Sequence, residues 1–123
     1  MEYVRKVDFA AIAGSGIDER LDQPLLDHDS GAKTCTIHCI KTPAGGGSPV
    51  GMHVHDVDQI FYILQGTMGV EIEGTQYECP PGTLVVFPAG VPHRNWNGGS
   101  EPSVHLAFNT PLPDPGRPFA RPI

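Results

Sequence analysis

Glycine and proline interrupt this sequence so often that long helices are excluded. The chain holds 15 glycines and 13 prolines among 123 residues, and the segments between them are short and often alternate between apolar and polar. Alternation every two residues is typical of half-buried β-strands. We therefore expect an all-β fold closed into a barrel. The predicted strands are residues 33–41, 60–64, 67–73, 75–79, 83–87, 91–97 and 104–110.

The N-terminal region carries the only helix signal. Asp8 is placed to cap a short helix over Phe9–Ala13, which Gly14 would end. The apolar residues of Leu21–Leu26 would then begin the sheet. These features predict a segment that packs on the barrel rather than a second domain.

The last 13 residues contain five prolines and are predicted to form an extended arm, packed on the surface or on a partner. A chain of 123 residues is large enough for one core and too short for two domains. The predicted organisation is a single domain with an N-terminal segment, a barrel and a C-terminal arm, at residues 1–32, 33–110 and 111–123.

Two histidines stand two residues apart, at His53 and His55. On a strand this spacing points both imidazoles to one face. Gln59 follows with the same parity, and His93 lies beyond a second segment punctuated by glycine and proline. Three imidazoles and one amide oxygen converging inside a barrel would bind a divalent transition metal, namely Fe, Mn, Zn, Ni or Cu. The predicted metal ligands are therefore His53, His55, Gln59 and His93.

The four predicted ligands are all uncharged. A divalent ion held by them would keep its full charge, whereas a carboxylate in place of Gln59 would remove one unit. Such an ion is a strong Lewis acid toward oxygen-rich ligands. Enolates, hydroxy acids and sugar-derived carbonyl compounds are the substrates that this site would suit.

Strand parity assigns further residues to the same cavity. Side chains an even number of positions apart on one strand share a face, so neighbours of the predicted ligands should line the cavity with them. Phe61 and Ile63 share the parity of Gln59, and Asn95 shares that of His93. Asn109 shares the parity of His105 on the last predicted strand. These four are the predicted substrate-binding residues.

Two more histidines have an orientation that the sequence leaves open. His105, on the last predicted strand, is expected to serve as a catalytic acid or base with an unperturbed pKa near neutrality if it faces the metal. His38, on the first predicted strand of the barrel, faces either the cavity or the outside.

The spacing of these residues resembles the two sequence signatures of the cupin superfamily. The first signature corresponds to Gly47, His53, His55, Gln59 and Gly66, with glutamine in place of the usual glutamate. The second corresponds to Gly82, Pro88, Gly90, His93 and Asn97. The short interval between them is similar to that of small single-domain microbial cupins. The resemblance implies a jelly-roll-type barrel, the double-stranded β-helix, with a His-His-Gln-His metal site.

Several functions are compatible with this resemblance. Cupins with a His-His-Gln-His set resemble manganese-dependent hydroxynitrile lyases and proteins that linearise unsaturated uronates, while other small cupins are iron-dependent dioxygenases. Gln59 can neither act as a base nor neutralise charge, as the carboxylate does in dioxygenases. We expect a metal-dependent enzyme acting on a small oxygenated molecule, by lyase or isomerase chemistry or by oxygen activation. The alternative is a module that binds a small ligand or sugar without turnover.

Charge and hydropathy argue against other partners. The formal net charge is −6 and the eight Lys and Arg residues are scattered, so no basic surface is expected for nucleic acid. No apolar run reaches the length of a signal peptide core or the roughly 18 residues of a membrane span. We therefore expect a cytoplasmic location, without membrane partners.

The run Ile60–Leu64 is apolar at both parities. This predicts that the N-terminal segment or a second copy of the chain covers its outer face, and we expect a homodimer.

Overall fold

The computed structural model describes residues 2–16, 19–48 and 51–123 and contains two five-stranded antiparallel sheets. The first sheet has the spatial order β1 (Leu21–Leu26), β2 (Thr36–Thr42), β9 (Ser103–Thr110), β4 (Asp58–Gln65) and β7 (Leu84–Phe87). The second has the order β10 (Ala120–Pro122), β3 (His53–His55), β8 (His93–Trp96), β5 (Met68–Ile72) and β6 (Thr75–Cys79). A helix, α1 (Phe9–Ala13), and a 3₁₀ turn (His28–Ser30) complete the fold. The predicted all-β class is confirmed.

The hydrophobic core fills one side of the space between the two sheets. Phe61, Ile63 and Phe87 of the first sheet pack in one cluster with Met68 and Val70 of the second. All five side chains are almost fully buried. On the side of β1, β2 and β3, the same two sheets enclose a cavity of about 710 Å³ instead of a packed core.

The register of the first sheet decides which side chains face this interior. Three rows of residues run across β2, β9 and β4 on the inner face, and they are Thr36–Asn109–Gln59, His38–Ala107–Phe61 and Ile40–His105–Ile63. Neighbouring residues on each strand point to the opposite face. Both histidines whose orientation the sequence left open, His38 and His105, therefore face inward.

The N-terminal segment covers the outer face of β1, β2 and β9. Helix α1 has the predicted bounds, and the Asp8 side chain accepts a hydrogen bond from the Ala11 amide at 3.0 Å. Ile12 of this helix packs on Cys39 and Val104. The fully buried Lys41 ammonium donates hydrogen bonds to the carbonyl oxygens of the loop that follows the helix. This polar tie and the apolar contact together hold the segment on the sheet.

The outer face of β4 and β7 is not covered by this segment. Its exposed apolar side chains, with their exposed fractions, are Tyr62 (40%), Leu64 (37%), Leu84 (62%) and Val86 (48%). The sequence suggested that either the N-terminal segment or a second copy of the chain covers this face. The N-terminal segment lies on β1, β2 and β9 instead. A single chain therefore leaves an apolar patch on the outer face of β4 and β7, at one edge of the first sheet.

Both ends of the chain contribute a strand. β1 belongs to the predicted N-terminal segment and pairs along its length with β2. β10 belongs to the predicted C-terminal arm and pairs antiparallel with β3, which carries two of the predicted metal ligands. Within the described residues, no helix is both long and apolar enough to cross a membrane.

Candidate metal centre

Three of the predicted metal ligands come together between the sheets. His53 on β3 lies directly opposite His93 on β8, and His55 follows on the same face of β3. One ring nitrogen of each lies within 4.8 Å of one ring nitrogen of each of the others. Pairing of two short strands thus brings together residues that are about forty positions apart in the sequence.

Backbone carbonyl groups fix the orientation of two of these rings. His55 Nδ1 donates to the Phe119 carbonyl oxygen at 2.9 Å, and His93 Nδ1 donates to the Val91 carbonyl oxygen at 3.0 Å. With the proton on Nδ1, each Nε2 presents a lone pair. Both Nε2 atoms are buried and have no hydrogen-bond partner among the described residues.

Leaving a buried polar atom unpaired costs about 1–3 kcal/mol, so these two Nε2 atoms favour the binding of a hydrogen-bond donor or a metal ion. A divalent transition ion fits, because neutral imidazole nitrogen is a good ligand for it and the second ring nitrogen is oriented as metal-binding histidines require. The donor set therefore fits a metal ion.

Burial keeps these histidines neutral. It lowers the pKa of His53, with the neighbouring His55 adding to the effect. It also lowers the pKa of His55, although the hydrogen bond to the Phe119 carbonyl opposes it. The pKa of His93 falls to about 4, chiefly through burial. All three imidazoles are therefore unprotonated near neutral pH, as metal ligands must be.

Gln59 is held beside the histidines by a chain of side-chain hydrogen bonds. Its Nε2 donates to Asn109 Oδ1 at 3.1 Å, and Asn109 Nδ2 donates to Thr36 Oγ1 at 2.9 Å. These three residues form one row across the first sheet. Since the amide nitrogen of Gln59 is engaged by Asn109, its amide oxygen is the atom left to bind an ion.

The cavity next to the histidines receives most of the residues predicted to bind substrate. Phe61, Asn95 and Asn109 line it, together with His53, His55 and Gln59. Ile63 lies fully buried in the hydrophobic core instead, because β4 passes from the cavity into the core at this point. His93 is also fully buried and stacks on Phe87, with ring centroids 4.2 Å apart.

His105 lines the cavity, as its predicted role requires, but its expected unperturbed pKa is wrong. The side chain is almost fully buried, its ring lies 4.2 Å from that of Phe61, and neither ring nitrogen has a partner among the described residues. Burial lowers the pKa of His105 to about 4. It is therefore a neutral hydrogen-bonding group near pH 7 and a weak base.

Comparison with known families agrees with this arrangement. A family model described as a cupin domain matches residues 40–108, more than half of the chain. This chain belongs to the cupin family. The matched region includes all four residues predicted to bind metal. No curated protein sequence matches this cupin.

Solved structures with the same fold include proteins with different described functions. The polyketide cyclase RemF from Streptomyces resistomycificus is 22% identical, with 98% of this chain and 85% of RemF covered and a TM-score of 0.75. KdgF from Halomonas is 24% identical, with coverages of 78% and 83% and a TM-score of 0.66. A candidate mannose-6-phosphate isomerase from Ralstonia eutropha JMP134 is 27% identical, with coverages of 89% and 100% and a TM-score of 0.71. An RmlC-like cupin from Methanocaldococcus jannaschii, described as having a double-stranded β-helix fold, is 18% identical, with coverages of 92% and 94% and a TM-score of 0.72. This similarity confirms the predicted double-stranded β-helix fold.

The C-terminal arm is a part of this cupin's site that the sequence did not reveal. Besides its carbonyl contact, the Phe119 ring stacks on the ring of His55 with centroids 4.1 Å apart. Arg121 and Arg117 both bind the carboxylate of Asp56, at 2.6 and 3.3 Å. The proline content predicted an extended arm, but it gave no signal for the position of the arm.

The sequence also did not predict the partner of His38. Its Nδ1 lies 2.6 Å from Oδ1 of Asp22 on β1, and both side chains line the cavity. Asp22 raises the pKa of His38 through this hydrogen bond, and His38 in turn lowers the pKa of Asp22. Because β1 was predicted only as a possible start of the sheet, nothing in the sequence paired these two residues.

Proposed function

We propose that this cupin is a metal-dependent enzyme acting on a small oxygenated molecule, with one divalent ion held by His53, His55, His93 and Gln59. The observation that carries the proposal is the pair of buried Nε2 atoms of His55 and His93, which have no partner among the described residues. The cavity of about 710 Å³ beside them is large enough for a small substrate.

The uncharged ligand set favours lyase or isomerase chemistry over oxygen activation. When bound, the ion would supply Lewis acidity toward a carbonyl or hydroxyl oxygen. Gln59 would fill a ligand position without adding charge, and Asn109 holds its side chain in place. The solved cyclase and candidate isomerase with this fold agree with such chemistry.

Metal analysis of the purified protein, followed by an oxygen-uptake assay with enolisable compounds, tests this proposal. We expect a divalent ion near one equivalent and no oxygen consumption. Iron together with substrate-dependent oxygen uptake would select the dioxygenase alternative. Binding of a sugar or small acid with no turnover in any metal form would select the non-enzymatic module.

The neutral side chain of Gln59 is expected to set the properties of the ion. Gln59→Glu keeps the size of the side chain and adds a negative charge, so metal affinity should rise at least about tenfold, equal to ~1.4 kcal/mol. The same charge should weaken the Lewis acidity, so the pH profile of any metal-dependent activity should move to higher pH. Chelator competition and a pH-rate profile measure the two effects.

Gln59→Ala is the matched control, because it removes the ligand oxygen without changing charge. It should loosen the metal. If the glutamate variant has the metal affinity and pH profile of the parent, Gln59 is not a ligand and the argument from the neutral site fails.

The apolar patch on β4 and β7 supports a homodimer. Tyr62 and Leu84 face each other across these strands and are exposed in the single chain. A second copy placed on the patch would bury it without any other partner.

Light scattering should give a dimer for the parent and a monomer for Leu84→Glu. Tyr77→Glu, an exposed aromatic on the second sheet, is the control that should remain dimeric. A parent that stays monomeric at all working concentrations would refute the dimer.

A further inference from the structure

A second group of polar side chains lies in the cavity, apart from the predicted metal ligands. Asp22 and His38 form a hydrogen-bonded pair at 2.6 Å on β1 and β2. The side chain of Asp22 is 38% exposed and that of His38 is 24% exposed. Both line the cavity and remain accessible to solvent. His105 lines the same region, and both of its buried ring nitrogens are without a partner in the described part of the chain.

The register of the first sheet places this pair across the cavity from Gln59. His38 and Phe61 belong to one row and are separated only by Ala107 on β9. Strands in a sheet lie about 4.8 Å apart, so β2 and β4 are about 10 Å apart. The small side chain of Ala107, in the middle of this row, lines the cavity between them. A small molecule bound beside Gln59 could therefore extend over Ala107 to His38.

We propose that the Asp22–His38 pair is the proton-transfer site of this cavity, acting on a hydroxy-carbonyl compound whose carbonyl end lies at the histidine cluster. This inference rests on the proposed metal-dependent function. Asp22 accepts the Nδ1 proton of His38, which leaves the Nε2 lone pair of His38 available to take a proton. His105 contributes a neutral hydrogen-bonding group to the same substrate.

The transfer requires no oxidant or reductant. His38 Nε2 takes the proton from the carbon next to the carbonyl, and the electron pair of that C–H bond forms the C=C bond of an enolate. The π electrons of the carbonyl move onto its oxygen. The imidazolium of His38 then returns the proton to the same carbon, which gives exchange. Alternatively, it returns the proton to the former carbonyl carbon after the substrate's own hydroxyl proton has passed to the former carbonyl oxygen, which gives the isomer. Asp22 stabilises the positive charge of His38 in the meantime.

His38 is better suited than His105 to be the base. Burial makes His105 a weak base, with a pKa of about 4, whereas the hydrogen bond to Asp22 raises the pKa of His38. Among the other charged groups that face His38, Asp27 raises its pKa and Arg20 lowers it. The neighbouring His105 on β9 stays neutral near pH 7.

Deuterium exchange tests the proposal with defined probes. Zinc-loaded protein in D₂O is incubated with dihydroxyacetone, glyceraldehyde or fructose 6-phosphate, and incorporation of deuterium next to the carbonyl is followed by mass spectrometry. We expect exchange with the parent protein. His38→Gln should lower its rate by about 10²- to 10⁴-fold, the contribution typical of a positioned acid or base. Glu78→Gln, which changes an exposed titratable residue on β6 outside the cavity, is the control and should exchange like the parent.

Asp22→Asn distinguishes the role of the pair from a structural one. Loss of the carboxylate should lower the pKa of His38, so the rise of the exchange rate with pH should move to lower pH while the maximal rate falls. Because the pair is partly exposed, thermal unfolding should change only slightly, and zinc content should stay at the parental value in both variants. An unshifted pH profile would overturn the role given to Asp22.

The outcomes separate this proposal from the proposed function. A parent protein that fails to retain metal would refute the metal-dependent function before exchange is measured. If metal is retained and His38→Gln exchanges at the parental rate, the Asp22–His38 pair is not the proton-transfer site. The same conclusion follows if the zinc-loaded parent exchanges none of the three compounds.

Discussion

Protein that carries both His53→Ala and His93→Ala will lose its bound metal on dialysis, while the parent will retain it. The two imidazoles lie opposite each other on paired strands and supply two of the three clustered nitrogens. Changes in the surroundings of metal ligands weaken affinity about 10- to 100-fold, so removal of two ligands should exceed this range. Elemental analysis and chelator competition measure the loss.

The thermal stability of these proteins gives a second readout. Metal at about 100 times its dissociation constant should stabilise the parent by ~2.7 kcal/mol, and it should leave the double variant unchanged. His28→Ala removes an exposed histidine and should respond to metal like the parent. A double variant that keeps a full equivalent of metal would show that the ion, if present, binds elsewhere.

The same site predicts how metal retention depends on pH. Burial lowers the pKa of all three histidines, and that of His93 to about 4. A lowered pKa means that protons compete poorly with the metal ion for the imidazole nitrogens. Metal retention should therefore be constant above the ordinary histidine pKa of about 6.5. It should be lost only in more acidic solution. Loss of metal already between about pH 8 and 6.5 would contradict this.

Removal of residues 117–123 will weaken metal binding without unfolding the barrel. These residues include Phe119, whose carbonyl oxygen accepts the Nδ1 proton of His55, and the two arginines that bind Asp56. Without that carbonyl, His55 can adopt the wrong tautomer or rotate. We expect a loss of about 10- to 100-fold in metal affinity, the range for groups that orient a ligand. β10 is an edge strand, so the core should remain intact.

Two further measurements identify the cause of this loss. Phe119→Leu keeps the carbonyl and removes the stacked ring, so it should weaken metal binding less than the truncation does. Binding energies are coupled in both directions, so metal should also increase the hydrogen-exchange protection of residues 119–123. A truncated protein with the metal affinity and stability of the full chain would show that the arm is not part of the metal site.

The sequence alone determined the elements that depend on local rules. The cap at Asp8 and the glycine at position 14 predicted helix α1 with its observed bounds. Spacing by two residues on a strand allows only one relative orientation, so His53 and His55 had to share a face. The cupin signatures also predicted the fold and the position of His93, because their glycines and prolines fix where the strands turn.

The tertiary structure alone decided the features that depend on distant packing. One face of β2 packs against helix α1 and the other lines the cavity. Because neither face is fully exposed, the alternation of apolar and polar residues could not show which face carries His38. The pKa of His105 depends on how completely other strands bury it. The arm was predictable as an extended segment, but an extended segment has no internal hydrogen bonds to fix its direction. Its place beside His55 is determined by the free edge of β3 and the carboxylate of Asp56, which lie more than sixty residues away in the sequence.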